Sequence, residues 1–338
     1  MADRSAIEWT DASWTPIRAR NLKTGKVGWH CEHATTGCEF CYAEGFNKRL
    51  GTGLDFKPGH RKDIEIFLDE KMLIQPLRWK KPRTIFVCSM TDLFADFVPD
   101  EWIDKVFAVM ALAPQHTFQV LTKRAKRMRE YVPGAAKRIV KRTSDGNPSV
   151  TVSTAKAYHS TTKVGGEFVW PLPNVWLGVS TERQQEADER IPLLLQTPAA
   201  IRFISAEPLL GPIDLDDIVT FGDGYEDHRS ALECDVDVED DEEFRGAILD
   251  WVITGGESGP DARPSNPEWF RGIRDQCDAA GVPYFHKQNG EWVSVSEVEG
   301  SGRHFSFPDG RTVRRVGKKA AGRLLDGVLH DAMPEIAR

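Results

Sequence analysis

Cys31, Cys38 and Cys41 fall within eleven residues, in the string Trp29-His30-Cys31-Glu32-His33-Ala34-Thr35-Thr36-Gly37-Cys38-Glu39-Phe40-Cys41-Tyr42. The spacing is C-x6-C-x2-C. The two-residue gap lets two sulfurs face one metal centre, and the longer loop brings in the third. Gly37 gives that loop backbone freedom beside a ligand. Three thiolates leave two readings open. Zinc closes a structural site with four ligands, and His30 or His33 can supply the fourth; a three-cysteine iron–sulfur cluster keeps one iron open for a substrate or cofactor. Cys88 and Cys277 read as buried structural thiols, and Cys234 as an exposed one.

A second group of chemistry-bearing residues follows short apolar runs. Thr84-Ile85-Phe86-Val87-Cys88 leads to Asp92. Thr117 to Leu121 ends at Thr122 and Lys123, and Val175 to Val179 leads to Glu182. Ile201 to Ile204 leads to Glu207, Asp250 to Ile253 to Gly255-Gly256-Glu257, and Pro283 to His286 to Lys287. Any one of these is equally a loop residue or a helix cap. Six in succession suggest a shared mouth. Asp92, Glu207 and Lys287 are the expected catalytic groups. Thr122, Lys123, Glu182, Gly255, Gly256 and Glu257 are the expected cofactor contacts. Carboxylates suit hydroxyl or amino groups, and Lys123, Arg124 and Lys287 suit a carboxylate or phosphates. Trp9 and Trp14 are read as packing residues.

The elements that must position these residues alternate. The apolar runs are β-branched and aromatic, and amphipathic segments over Pro99–Ala113, Gln184–Leu195 and Pro267–Ala280 read as helices. With a first strand expected near Val27 to His30, this gives about seven βα units and a parallel sheet. The dinucleotide glycine fingerprint is lacking, so the expected fold is an α/β, complete or partial (β/α) TIM-type barrel, with the polar endings at its carboxyl-terminal mouth. Residues 1–338 are read as a single barrel-type domain with a basic insertion at 133–170 and an acidic one at 214–247. Thr122 to Lys163 holds 11 Lys and Arg against two acids; Asp214 to Arg245 holds 14 Asp and Glu against two Arg. Both read as surface insertions of weak hydrophobic periodicity.

The residues around the cysteines carry a resemblance. Gly37-Cys38-Glu39-Phe40-Cys41-Tyr42-Ala43, entering a helix, resembles the cluster loop of radical S-adenosylmethionine enzymes, in which the first gap is commonly three residues rather than six. The wider chain resembles a phage-associated family of uncharacterised proteins with a three-cysteine motif, related to those enzymes. The matching stretches are Ile7-Glu8-Trp9-Thr10-Asp11, Trp14-Thr15-Pro16-Ile17, the cysteine loop, Ser89 to Phe94, Leu121 to Arg124, Trp176 to Ser180, Ala206 to Pro212, Gly255 to Gly259 and Lys287 to Trp292. Thr15 stands where that family usually has Asn. The resemblance implies a 4Fe-4S cluster on Cys31, Cys38 and Cys41, S-adenosylmethionine on the open iron, and Tyr42 beside its adenine. It also implies an electron donor and cleavage of the cofactor to a 5′-deoxyadenosyl radical. Gly255-Gly256-Glu257 follows the sixth strand here, whereas the radical enzymes carry Gly-Gly-Glu after the second, so its role is not carried across.

Composition bounds the reading. The 338 residues are 40% hydrophobic and 28% charged with a net charge of −7, which excludes a uniformly basic nucleic-acid coat but leaves room for a local basic patch. No run of 18 apolar residues exists, so no membrane contact is expected. No apolar segment follows Met1 to Ser5, so no export signal is expected and the expected compartment is the reducing cytoplasm. The basic block and the phage association point to a nucleotide or nucleic acid substrate. The alternative is a non-catalytic module, a barrel stabilised by zinc or an iron–sulfur centre that binds nucleic acid or a partner protein. Hydrolase chemistry lacks a G-x-S-x-G nucleophile motif.

Overall fold

The computed structural model describes residues 5–144, 169–222, 225–233 and 247–335. The fold is mixed α/β around a seven-stranded sheet. Its strands, in spatial as well as chain order, are β1 (Ala12–Trp14), β2 (Thr84–Val87), β3 (Thr117–Thr122), β4 (Val175–Ser180), β5 (Ile201–Ala206), β6 (Trp251–Gly255) and β7 (Tyr284–Gln288). β1 and β2, β2 and β3, β5 and β6, and β6 and β7 pair in parallel. The sheet ends at β1 and β7, an order compatible with a partial barrel. All six apolar runs are strands. They are buried on both faces, as in β4, where every residue is buried.

Helices α2 (Asp100–Leu112), α3 (Ala125–Ser144), α4 (Gln184–Leu195) and α5 (Pro267–Ala280) join the strands. α5 shows why such segments start and stop where they do. The Asn266 side chain accepts from the Glu268 N–H, Pro267 occupies the first turn, and Gly281 closes the helix at φ +69°.

Three expectations need correction. The strand near Val27 to His30 is only Val27–Gly28. It pairs antiparallel with Ile17–Asn21 in a separate three-stranded sheet, and the first strand of the main sheet is β1. The basic block is not aperiodic throughout. Met128, Tyr131, Val132, Ala135 and Ile139 form a buried helical stripe among the Lys and Arg, so α3 runs well past residue 133. The acidic block carries an antiparallel hairpin, Ile218–Gly222 with Tyr225–Arg229, anchored by buried Leu215, Ile218, Ala231 and Leu232. The remainder of the two insertions, 145–168 and 234–246 with Cys234, lies outside the described residues.

The chain divides into two compact units. The first comprises residues 1–34, 43–177 and 197–200, and the second 35–42, 178–196 and 201–338. The core of the first includes Trp14, which is fully buried, donates from its indole to the Met72 carbonyl at 2.8 Å, and packs on Phe118. Trp9 is also buried, as expected of a packing residue. The core of the second is built on Trp251 between Phe203 and Phe285, its indole satisfied by the Ala332 carbonyl at 2.9 Å. Burying each such aromatic contributes about 1.5–3 kcal/mol or more.

Candidate active site

In the first unit, β2 ends in a bracket built on Asp92. Its Oδ1 accepts from the Thr122 hydroxyl at 2.7 Å and the Phe94 N–H at 2.9 Å. Its Oδ2 accepts from the Lys123 N–H and from Arg124 Nη1, both at 3.0 Å. Asp92 and Thr122 are buried and Lys123 is half-buried. Asp92 is thus a saturated carboxylate that ties the end of β2 to the end of β3, a geometry suited to positioning rather than proton transfer. Arg124 extends the bracket to the Glu32 carbonyl at 2.8 Å, and the Thr91 hydroxyl donates to the His30 carbonyl at 2.5 Å. These two bonds hold the backbone on either side of Cys31.

The side chains beside Cys31 are also fixed. Glu32 accepts from Arg61 Nε and Nη2 and lies 3.3 Å from His30 Nε2. Burial lowers the His30 pKa against the opposing pull of Glu32, which keeps the ring neutral. His33 Nε2 lies 2.8 Å from Glu44. Cys88, the last residue of its apolar run, has a left-handed backbone at φ +56°. Burial, then the charges of Asp92 and Cys31, push its thiol well up, so it is protonated.

In the second unit, residues 35–42 carry Cys38 and Cys41 across the ends of β4 and β6. The 3-10 turn Thr36–Cys38 shapes the segment. Thr35 Oγ1 donates to Glu182 Oε1 at 3.1 Å. Glu182 Oε2 takes Arg190 Nη1 at 3.1 Å, and both side chains of this pair are almost fully buried. A Cβ on Gly37 would fall 2.4 Å from Glu182 Oε1, so only glycine lets the loop rest on this carboxylate. Arg263 makes the second attachment. It embraces both oxygens of Glu257 at 2.7–2.9 Å and reaches Glu39 at 3.2 Å and the Thr36 carbonyl at 3.0 Å. Its guanidinium also lies over the Phe40 ring at 5.1 Å. Glu182 and Glu257, expected as cofactor contacts, are therefore occupied in holding the cysteine loop.

Glu207 and Lys287 are placed differently. Lys287 Nζ stands 3.2 and 3.3 Å from the two oxygens of Glu207, and the Ser205 hydroxyl donates to Oε2 at 3.1 Å. Glu207 Oε1 is buried and accepts no hydrogen bond among the described residues, leaving it ion-paired with acceptor capacity to spare. Gly255 makes room for this oxygen. A Cβ there would fall 2.2 Å from it, and the register of β6 on β7 shifts at this residue. Gly256 approaches the Asn289 carbonyl equally closely. The Gly-Gly pair thus serves close packing of strand ends around Glu207. Tyr42, at the start of α1 (Tyr42–Leu50), is exposed.

The structure thus gathers Asp92, Thr122 and Lys123 near Cys31 in one unit. In the other it gathers Cys38, Cys41, Tyr42, Glu182, Glu207, Gly255, Gly256, Glu257 and Lys287. Sequence reasoning missed Arg263, Arg190, Ser205 and Thr35. Thr35 and Arg263 are defined by partners that the fold brings in, Glu182 and Thr36, whereas Ser205 and Arg190 partner Glu207 and Glu182 two and eight residues away. Cys38 is buried, Cys31 and Cys41 are half-buried, and none of the described cysteines forms a disulfide. Reduced thiols on a loop fixed from both sides fit a thiolate-held metal. Among the described residues, no three His, Cys, Asp or Glu side chains converge on the geometry of a single ion.

No curated protein and no solved structure is similar to the chain. Residues 4–334 match the family described as protein of unknown function (DUF5131), and the chain belongs to that family.

Proposed function

We propose that the chain is a radical S-adenosylmethionine-type enzyme built on a partial TIM-type barrel. In this reading Cys31, Cys38 and Cys41 hold a 4Fe-4S cluster and the substrate is a nucleotide or nucleic acid. The observation that supports it best is the seating of the Cys38–Cys41 loop on the carboxyl ends of strands, in the unit that also holds the Glu207–Lys287 pair. Active sites of parallel α/β barrels lie at that end. When bound, the cluster supplies the electron that cleaves S-adenosylmethionine to methionine and a 5′-deoxyadenosyl radical, a reaction that requires an external electron donor.

The chain's own residues bind, orient and exclude water. Asp92 fixes the ends of β2 and β3, and Arg124 and Thr91 fix the backbone around Cys31. Glu182 and Glu257 fix the loop of Cys38 and Cys41. Glu207 offers one buried oxygen to a hydrogen-bond donor of a bound molecule, and Lys287 offers its ammonium to an acceptor. The basic block, with nine more basic than acidic residues between Thr122 and Lys163, supports a polyanionic substrate.

Single replacement of Cys31, Cys38 or Cys41 by Ala tests the ligand set. Each variant, purified anaerobically, is expected to lose its iron and acid-labile sulfide while Cys277→Ala retains both. Full iron and sulfide in Cys38→Ala would overturn the assignment.

A further inference from the structure

We propose that Arg263 is the positioning residue of the cysteine loop, fixing Cys38 and Cys41 before any metal arrives. The inference rests on the reading that these thiols are ligands, and it gives Glu257 a purpose that its place after a strand did not suggest.

The guanidinium of Arg263 joins two segments remote in sequence. On one side, Nε donates to Glu257 Oε2 at 2.9 Å and Nη2 to Oε1 at 2.7 Å, and the Arg263 backbone N–H adds a bond to Oε2 at 2.8 Å. Glu257 is itself buried at the end of β6. On the loop side, Nη1 reaches Glu39 at 3.2 Å, Nη2 reaches the Thr36 carbonyl at 3.0 Å, and the cation lies over Phe40. The contacted residues Thr36, Glu39 and Phe40 flank Cys38 and precede Cys41. Cys41 is tied to the same turn by its own N–H on the Cys38 carbonyl at 3.3 Å.

The fork matters as much as the charge. One planar cation must serve a carboxylate bidentately, a second carboxylate, a carbonyl and a ring face at once. An ammonium has three donors and no plane, so lysine satisfies only part of this set. The other attachment, through Thr35 and Gly37 on Glu182, fixes only the start of the loop.

Thiol alkylation in the reduced, metal-free protein tests this without requiring a cluster. Iodoacetamide labelling, read residue by residue by mass spectrometry, is expected to speed up roughly tenfold or more at Cys38 and Cys41 in Arg263→Met, because loss of charge-assisted anchors opens the loop locally. Arg263→Lys is expected to behave much like Arg263→Met. Buried Cys277 reports global unfolding, and its rate is expected to stay unchanged. Glu39→Ala removes a single exposed anchor, leaves folding untouched, and is expected to give a smaller rise of about two- to threefold at the same two thiols. Rates within twofold of wild type at Cys38 and Cys41 in Arg263→Met overturn the proposal, as does a parallel rise at Cys277. If Arg263→Met does not fold, an unchanged rate in Glu39→Ala overturns it. The failure of the ligand reading is separate, since it shows as iron retained in Cys38→Ala.

Discussion

Glu207 is set apart by what its carboxylate leaves open. Asp92, Glu182 and Glu257 have partners on both oxygens, whereas Glu207 Oε1 is buried with only the ion pair to Lys287. Glu207→Gln removes the charge without changing the shape. It is expected to lower substrate-dependent turnover by ~10²-fold while leaving iron content unchanged, and iron analysis alongside a turnover assay separates the two effects. His286, one residue before Lys287, shows the opposite design. It is fully buried, with Nδ1 3.1 Å from Thr254 Oγ1 and Nε2 3.0 Å from Asn289 Oδ1. Burial pushes its pKa down to about 4; Asn289 opposes this, and His330 and Arg323 add to it. Its unfolded value is higher, near 6.5, so the unfolded chain binds the extra proton first. The contribution of neutral His286 is fully present above about pH 6.5 and is lost as pH falls toward 4, by roughly 3 kcal/mol. Urea unfolding across that range is expected to show this slope in wild type and a shallower one in His286→Gln.

At the level of elements, the cysteine loop depends on a buried ion pair. Arg190→Met leaves Glu182 charged in the interior and is expected to cost about 3–5 kcal/mol in chemical unfolding. Gly37→Ala drives a methyl into the same carboxylate, which Arg190 prevents from yielding. It is expected to cost about 1–3 kcal/mol and to reduce bound iron, whereas Gly59→Ala, with open space around it, changes neither. The strands and helices were legible because β-branched runs such as Thr84 to Val87 and capped stretches such as Asn266–Ala280 declare themselves locally. The charged strand ends were legible as a set. Their roles were not, because the Arg263–Thr36 and Glu182–Thr35 contacts join segments far apart in the chain. Val27–Gly28 misled because a short apolar run does not reveal which sheet it will join. The α3 stripe was hidden by the Lys and Arg between its buried residues.

Across the whole molecule, charge is segregated while the net stays acidic. If the basic block meets a nucleic acid backbone, affinity for a single-stranded oligonucleotide falls as salt rises. Replacing Lys137, Lys141 and Arg142 together with Gln is expected to make the log–log salt slope shallower by about 2. An unchanged slope would place the polyanion elsewhere. The central claim is the pairing of a thiolate-held cluster with S-adenosylmethionine, and anaerobic purification followed by dithionite reduction in the presence of that cofactor tests it most directly. The account predicts about four irons per chain and 5′-deoxyadenosine released only in the reduced sample. One zinc per chain, or a cluster that never cleaves the cofactor under reduction, would contradict it.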